Sequence, residues 1–273
     1  MNWSKTKSIF IICFLLLDAF LVFEIYHSQD GESIGGIAGD SQEESIFNNK
    51  GIKWDANIPE TPGNITFLQG RLMNLSSVKK DLESNKNPGP GLPIRKIMLE
   101  NDGMVIRGVF NKPAAIAPEK EDQLGSLLES VFNGQQYRYW RTDESSGMVH
   151  FVQTYEDRPV YLSKHSNIQM LGFTMDHGKV TGYRQSYFNF EKTNTVNIIS
   201  ARDALNYLAT KNELSVAQHP EVEMVELSYV NLVGDAGSDP LVFVPAWHVV
   251  VKKDSGTEEF FVNAVSISIQ TLD

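Results

Sequence analysis

The sequence predicts an α+β protein: a single N-terminal transmembrane helix, then an outer domain in which helices are followed by antiparallel strands. Three observations lead there. Residues 8–26 are apolar apart from Ser8, Asp18 and Glu24. Beyond Pro93, short runs rich in β-branched and aromatic residues are separated by turn signals. A helical pattern followed by such runs occurs twice, as a weak internal repeat of pattern without identity.

As a helix rising ~1.5 Å per residue, residues 8–26 would extend about 28 Å, close to the ~30 Å hydrocarbon thickness of a bilayer. A cleaved signal peptide would have a shorter, uninterrupted apolar core and a small-x-small site; here the bulky "FLVFEIYHSQ" follows. A lipoprotein reading of Cys13 fails, because Ile12 is large and half of the apolar run lies beyond the cysteine. The segment therefore reads as an uncleaved anchor. Lys5 and Lys7 precede it, whereas Glu24, Asp30 and Glu32 lie in its last turn or after it. Positive residues stay on the cytoplasmic side, which puts residues 1–7 inside and the rest of the chain outside the cell membrane. Trp3 and Tyr26 suit the two interfaces.

The formal net charge of −10 and a pI near 5.1 exclude nucleic acid as a partner, since phosphate binding needs a basic face. Cys13 is the sole cysteine, so an outer domain without disulfides must rely on an ordinary apolar core. Residues 27–50, rich in Gly, Ser, Asp and Glu, read as a flexible stalk. The outer domain is then 51–273, with possible subdomains at about 51–190 and 191–273.

Within it, Leu68, Leu72, Leu75 and Leu82 at helical spacing predict a helix over about 68–84. "NPGPGLP" at 87–93 breaks the chain. "IRKIMLENDGMVIRGVF" predicts two strands joined at Asn101-Asp102-Gly103. After Pro118, Leu124, Leu127, Leu128, Val131 and Phe132 mark a helix that opens on Glu119, Glu121 and Asp122 and ends at Asn133-Gly134. "QYRYWRT", "MVHFVQTYE", "PVYLSKH", "NIQMLGFTM" and "KVTGYRQSYFNF" then predict a meander, each strand beside the last. In the second cycle, Ser200 and Asp203 open a helix with Ala201, Ala204, Leu205, Leu208 and Ala209 on its buried face. "VELSYVNLV", "LVFVPAWHVVV" and "EEFFVNAVSISIQ" follow as strands.

Chemical motifs are missing. There is no Walker-type phosphate loop, H-E-x-x-H, G-x-S-x-G, paired-cysteine or calcium-loop pattern. The six histidines (His27, His150, His165, His177, His219 and His248) have no ligand-type spacing. His248 reads as a strand residue on the opposite face from Trp247 rather than as a ligand or base, and His177 as a turn residue. "NIT" at Asn64 and "NLS" at Asn74 match the glycosylation acceptor, which matters only in a eukaryotic secretory route. No catalytic, cofactor or metal residue is assigned, and the expectation is a protein that is not an enzyme.

Asp18 is the anomaly. A carboxyl group at the centre of a spanning helix costs roughly 2.5–3.5 kcal/mol, which the neighbouring leucines and phenylalanines offset at roughly 0.3–0.6 kcal/mol each. It either hydrogen-bonds within its own helix or faces another one. The second reading is favoured, because intramembrane ionisable groups usually face protein, and it makes Ile11, Phe14, Asp18, Leu21, Val22 and Ile25 the partner-binding face.

The opening "MNWSKTKSIFIICFLLLDAFLVFEIY", the run "LGFTMDHGKVTGYRQSYF" and the closing "VPAWHVVVKKDSGTEEFFVNAVS" together resemble the YycI (WalI) family, over the whole chain. Asn2 stands where aspartate is usual. The resemblance implies a non-enzymatic membrane regulator that binds the sensor histidine kinase WalK together with YycH and sets the output of the WalK–WalR system of cell-wall metabolism. It also implies an outer domain like the two membrane-distal domains of YycH. The alternative is an extracytoplasmic binding module for a wall-derived ligand.

Overall fold

Alternating apolar side chains can all be buried only if strands pair so that one face meets a core, and that requirement organises this chain. The computed structural model describes residues 52–54, 58–84, 91–115, 121–163, 166–231, 239–270 and 272, together with Phe14, Leu17 and Asp18. Residues 1–52 and 53–273 are separate compact units. In the first, Phe14, Leu17 and Asp18 are helical and exposed. Among the described residues no helix is long and apolar enough to cross a membrane; the rest of 8–26 and the stalk at 27–50 lie outside them.

The second unit is mixed α+β and dominated by sheet. Its strands are β1 (Lys53–Trp54), β2 (Ile65–Leu72), β3 (Ile94–Glu100), β4 (Val105–Ala115), β5 (Tyr137–Asp143), β6 (Met148–Tyr155) and β7 (Arg158–Tyr161). They continue with β8 (Leu171–Asp176), β9 (Lys179–Gln185), β10 (Phe188–Val196), β11 (Glu221–Val230), β12 (Leu241–Lys253), β13 (Gly256–Asn263) and β14 (Ile269–Gln270). The helices are α1 (Ser76–Ser84), α2 (Glu121–Leu128) and α3 (Ala201–Thr210). Hydrogen bonds run through the strands in the order β10-β2-β12-β11-β7-β6-β8-β9-β4-β3, with β5 on β6, β13 on β12, β14 on β13 and β1 beside β11. Most pairs are antiparallel; β11 pairs in parallel with β7 and with β1.

Local chemistry explains several joints. Glu156-Asp157 and His177-Gly178 both have positive φ at two consecutive positions (48° and 62°, 49° and 72°), the two-residue geometry that matches strand twist. Ser200 caps α3 as expected: its hydroxyl accepts from Asp203 N at 3.1 Å, while the Asp203 carboxylate accepts from Ser200 N at 3.1 Å. Gly108 lies under the Tyr183 ring, where a Cβ would come within 2.2 Å of it. The core gathers Phe110, Phe151, Leu171, Phe173 and Tyr183 from the β3–β9 region with Phe188, Phe243 and Phe261 from the rest.

Three expectations are corrected. Leu68 and Leu72 belong to β2, and the helix expected over 68–84 begins only at Ser76, whose N–H donates to Asn74 Oδ1 at 3.0 Å. Ile65, Thr66 and Phe67 favour strand and Gly70 disfavours helix; β2 also gains partners on both sides, β10 and β12. The helix after Pro118 stops at Leu128 instead of Phe132. There, Gln185 takes the Phe132 backbone, accepting from its N–H at 3.2 Å and donating to its carbonyl at 2.6 Å. The meander is interrupted twice. β8 pairs with β6 instead of with β7, whose other neighbour is β11, and "KVTGYRQSYFNF" breaks at Ser186-Tyr187 into β9 and β10. At the break the backbone is taken from outside: Ser186 N donates to Met170 O, and Ser186 O accepts from Tyr137 Oη.

Candidate functional site

β12 is buried on both faces, so its alternation decides what each side chain meets. Trp247 turns toward α3, its indole N–H donating to Ile199 O at 2.9 Å just ahead of that helix. His248 turns the other way, as the sequence predicts, and is 2% exposed. Its direct cross-strand neighbours are Glu226 on β11 and Phe261 on β13. The imidazole stacks on Phe261, with centroids 4.4 Å apart and planes at 3°, and Tyr161 of β7 meets it edge-on at 5.0 Å.

Both ring nitrogens are engaged. Nε2 lies 2.9 Å from Glu259 Oε2, while Nδ1 lies 3.3 Å from Glu226 Oε1 and 3.1 Å from the Tyr161 hydroxyl. Each carboxylate has a second donor from β5: the Arg138 guanidinium on Glu226, and the Trp140 indole N–H on Glu259 at 3.0 Å. One cluster thus ties β5, β7, β11, β12 and β13 together.

Burial alone would push the His248 imidazole down; the hydrogen bonds to Glu226 and Glu259 outweigh it and hold the group above its ordinary 6.5. Burial likewise favours protonated carboxyls, but hydrogen bonds from His248 to both, with Arg138 on Glu226 and Trp140 on Glu259, hold the two glutamates below their ordinary 4.5. Between pH 4.5 and 6.5 the cluster is therefore an imidazolium and a guanidinium facing two carboxylates. Burial also raises the Tyr161 phenol, so it stays protonated.

This arrangement holds strands together: every polar group of the ring is committed to a neighbour on another strand. The two carboxylates sit on opposite sides of the ring and do not converge on one point. Among the described residues no group of three or more His, Cys, Asp or Glu side chains is placed to hold a metal ion. Of the partner face read from sequence, Phe14 and Asp18 are exposed on their helix; Ile11, Leu21, Val22 and Ile25 lie outside the described residues. Sequence reading passed over Arg138, Trp140, Glu226 and Glu259. The legible signal was a glutamate among apolar residues in "VELSYV" and in "EEFFV", two strand patterns that flank the His248 strand in the chain.

A family model described as YycI protein matches residues 37–265. No curated protein matches the chain. Among solved structures, an uncharacterized protein from Eubacterium rectale is similar at 11% identity and a TM-score of 0.48, covering 80% of this chain and 90% of that one. The Bacillus megaterium YpeB C-terminal domain is similar at 12% identity and a TM-score of 0.42, covering 75% of this chain and all (100%) of that one. YycH from Bacillus subtilis is similar at 10% identity and a TM-score of 0.38, covering 74% of this chain and 53% of that one. The family match takes in most of the chain, including every strand of the His248 cluster, and on that ground this protein belongs to the YycI family.

Proposed function

We propose that this chain is a single-pass membrane protein that binds the sensor histidine kinase WalK together with YycH and modulates the two-component system controlling cell-wall metabolism. The observation that carries this reading is the YycI family match over residues 37–265. The apolar stretch 8–26, with Lys5 and Lys7 ahead of it, supports an anchor whose N-terminus is cytoplasmic and whose outer domain is extracytoplasmic. The same reading makes the protein a non-enzymatic one that acts by contact.

A reporter enzyme active only outside the cytoplasm, fused after Asp273, is expected to be active in cells. A silent fusion, alongside an active cytoplasmic reporter at the same position, would remove both the orientation and the regulatory reading built on it.

A further inference from the structure

Away from His248, a shallow pocket of about 400 Å³ opens between the β6–β7 turn, the start of β10 and the 3₁₀ turn Gly134–Gln136. That volume falls within the ~300–1,000 Å³ of small-ligand sites. Its inner wall is complete: the Gln153 amide donates to Phe188 O at 2.8 Å and accepts from Phe188 N at 3.0 Å. The Tyr187 hydroxyl donates to Gln136 Oε1 at 2.5 Å, which occupies that amide's oxygen and leaves its NH₂ group available. On the rim, Gln135, Asp157 and Asn189 are exposed and lining. None of the three side chains has a hydrogen bond or ion pair among the described residues. Tyr155 and Phe190, edge to face at 5.9 Å, supply the apolar part.

The lining selects a chemistry. It contains no lysine or arginine and two carboxylates, Asp157 and Glu156; the Lys192 and Arg158 cations next to the lining are already paired with Glu156, so an anion finds no uncommitted counter-charge there. A purely apolar ligand would leave the rim amides facing it without hydrogen bonds. Sugar hydroxyls both donate and accept, as primary amides do, and the C–H face of a pyranose packs on aromatic rings. We propose that this pocket binds a neutral saccharide, an N-acetylated hexose unit fitting best. Tyr155 and Phe190 carry the ring's C–H face, while Gln135, Gln136, Asp157 and Asn189 meet its hydroxyl and acetamido groups. This site is independent of the kinase reading and stands or falls without it.

The test titrates the full-length protein in lipid nanodiscs with N,N′-diacetylchitobiose, maltose and glucuronate, read by calorimetry and saturation-transfer NMR. Diacetylchitobiose is expected to saturate with a Kd on the order of 1 mM, ahead of maltose and well ahead of glucuronate. Gln135→Ala and Asn189→Ala, both on the solvent-facing rim, are each expected to weaken binding by about fivefold with melting unchanged. Tyr155→Ala should weaken it further. No saturable binding of either neutral disaccharide, tighter binding of glucuronate, or binding indifferent to both rim substitutions would each overturn the assignment.

Discussion

Replacing His248 with leucine is expected to lower the unfolding free energy by about 3 kcal/mol at pH 6, the scale for removing one partner from a buried ionic cluster. The leucine fills the space beside Phe261 and Tyr161 but leaves Glu226 and Glu259 facing an apolar group, each reduced to its single β5 donor. Adding Glu259→Gln to His248→Leu should therefore recover part of the loss, since it removes the carboxylate with only a neutral partner left. The pH dependence has a definite sign. His248 has its folded value raised, so its contribution is complete below the ordinary 6.5 and fades as pH rises through that raised value. Glu226 and Glu259 have theirs lowered, so their contribution is complete above 4.5 and fades as pH falls through the lowered values. The difference between wild type and His248→Leu should be largest between pH 4.5 and 6.5 and shrink on both sides. Urea midpoints of the full-length protein across pH measure it; a difference that grew steadily into alkaline pH would contradict the charge assignment.

Asp18→Leu is expected to weaken association with partner helices by about 0.6–2 kcal/mol, roughly 3- to 30-fold, the worth of one interhelical hydrogen bond in a membrane. Asp18 and Phe14, four residues apart, are one helical turn apart on one side of their helix. The substitution removes a polar group, so insertion should be at least as good and expression can be matched. Asp18→Asn keeps a donor and an acceptor and should retain most of the binding, which separates hydrogen bonding from charge. Leu16→Ala, which helical spacing puts on the face away from Asp18, should change little. A two-hybrid assay in membranes against WalK and YycH reads the effect. Signals unchanged for Asp18→Leu with both partners would mean that the carboxyl is satisfied within its own helix.

The sequence made some of the fold legible because local chemistry decided it. The Ser200–Asp203 cap, the Asn101-Asp102-Gly103 connection and the turn at His177 need only their own neighbours, and each appears where expected. What stayed hidden was set at long range. Leu68 and Leu72 fit a helix by spacing, but β10 and β12 offer their backbone a ladder on both sides. Ser186 and Tyr187 look like strand interior, yet Met170, Tyr137 and Met73 claim their backbone from elsewhere in the chain. The His248 site was half legible. Its face relative to Trp247 follows from alternation, whereas Glu226 reaches it through the β11–β12 register and Arg138 through a fifth strand 88 residues from Glu226.

The most direct test of the regulator reading is recovery of the kinase itself. Full-length tagged protein, produced at its native level, is crosslinked in intact membranes, purified, and probed for WalK and YycH against an unrelated single-span protein at matched abundance. The account predicts that both are recovered with this chain and not with the control, and that recovery falls with Asp18→Leu. Efficient recovery of the tagged chain with neither WalK nor YycH above the control would contradict it.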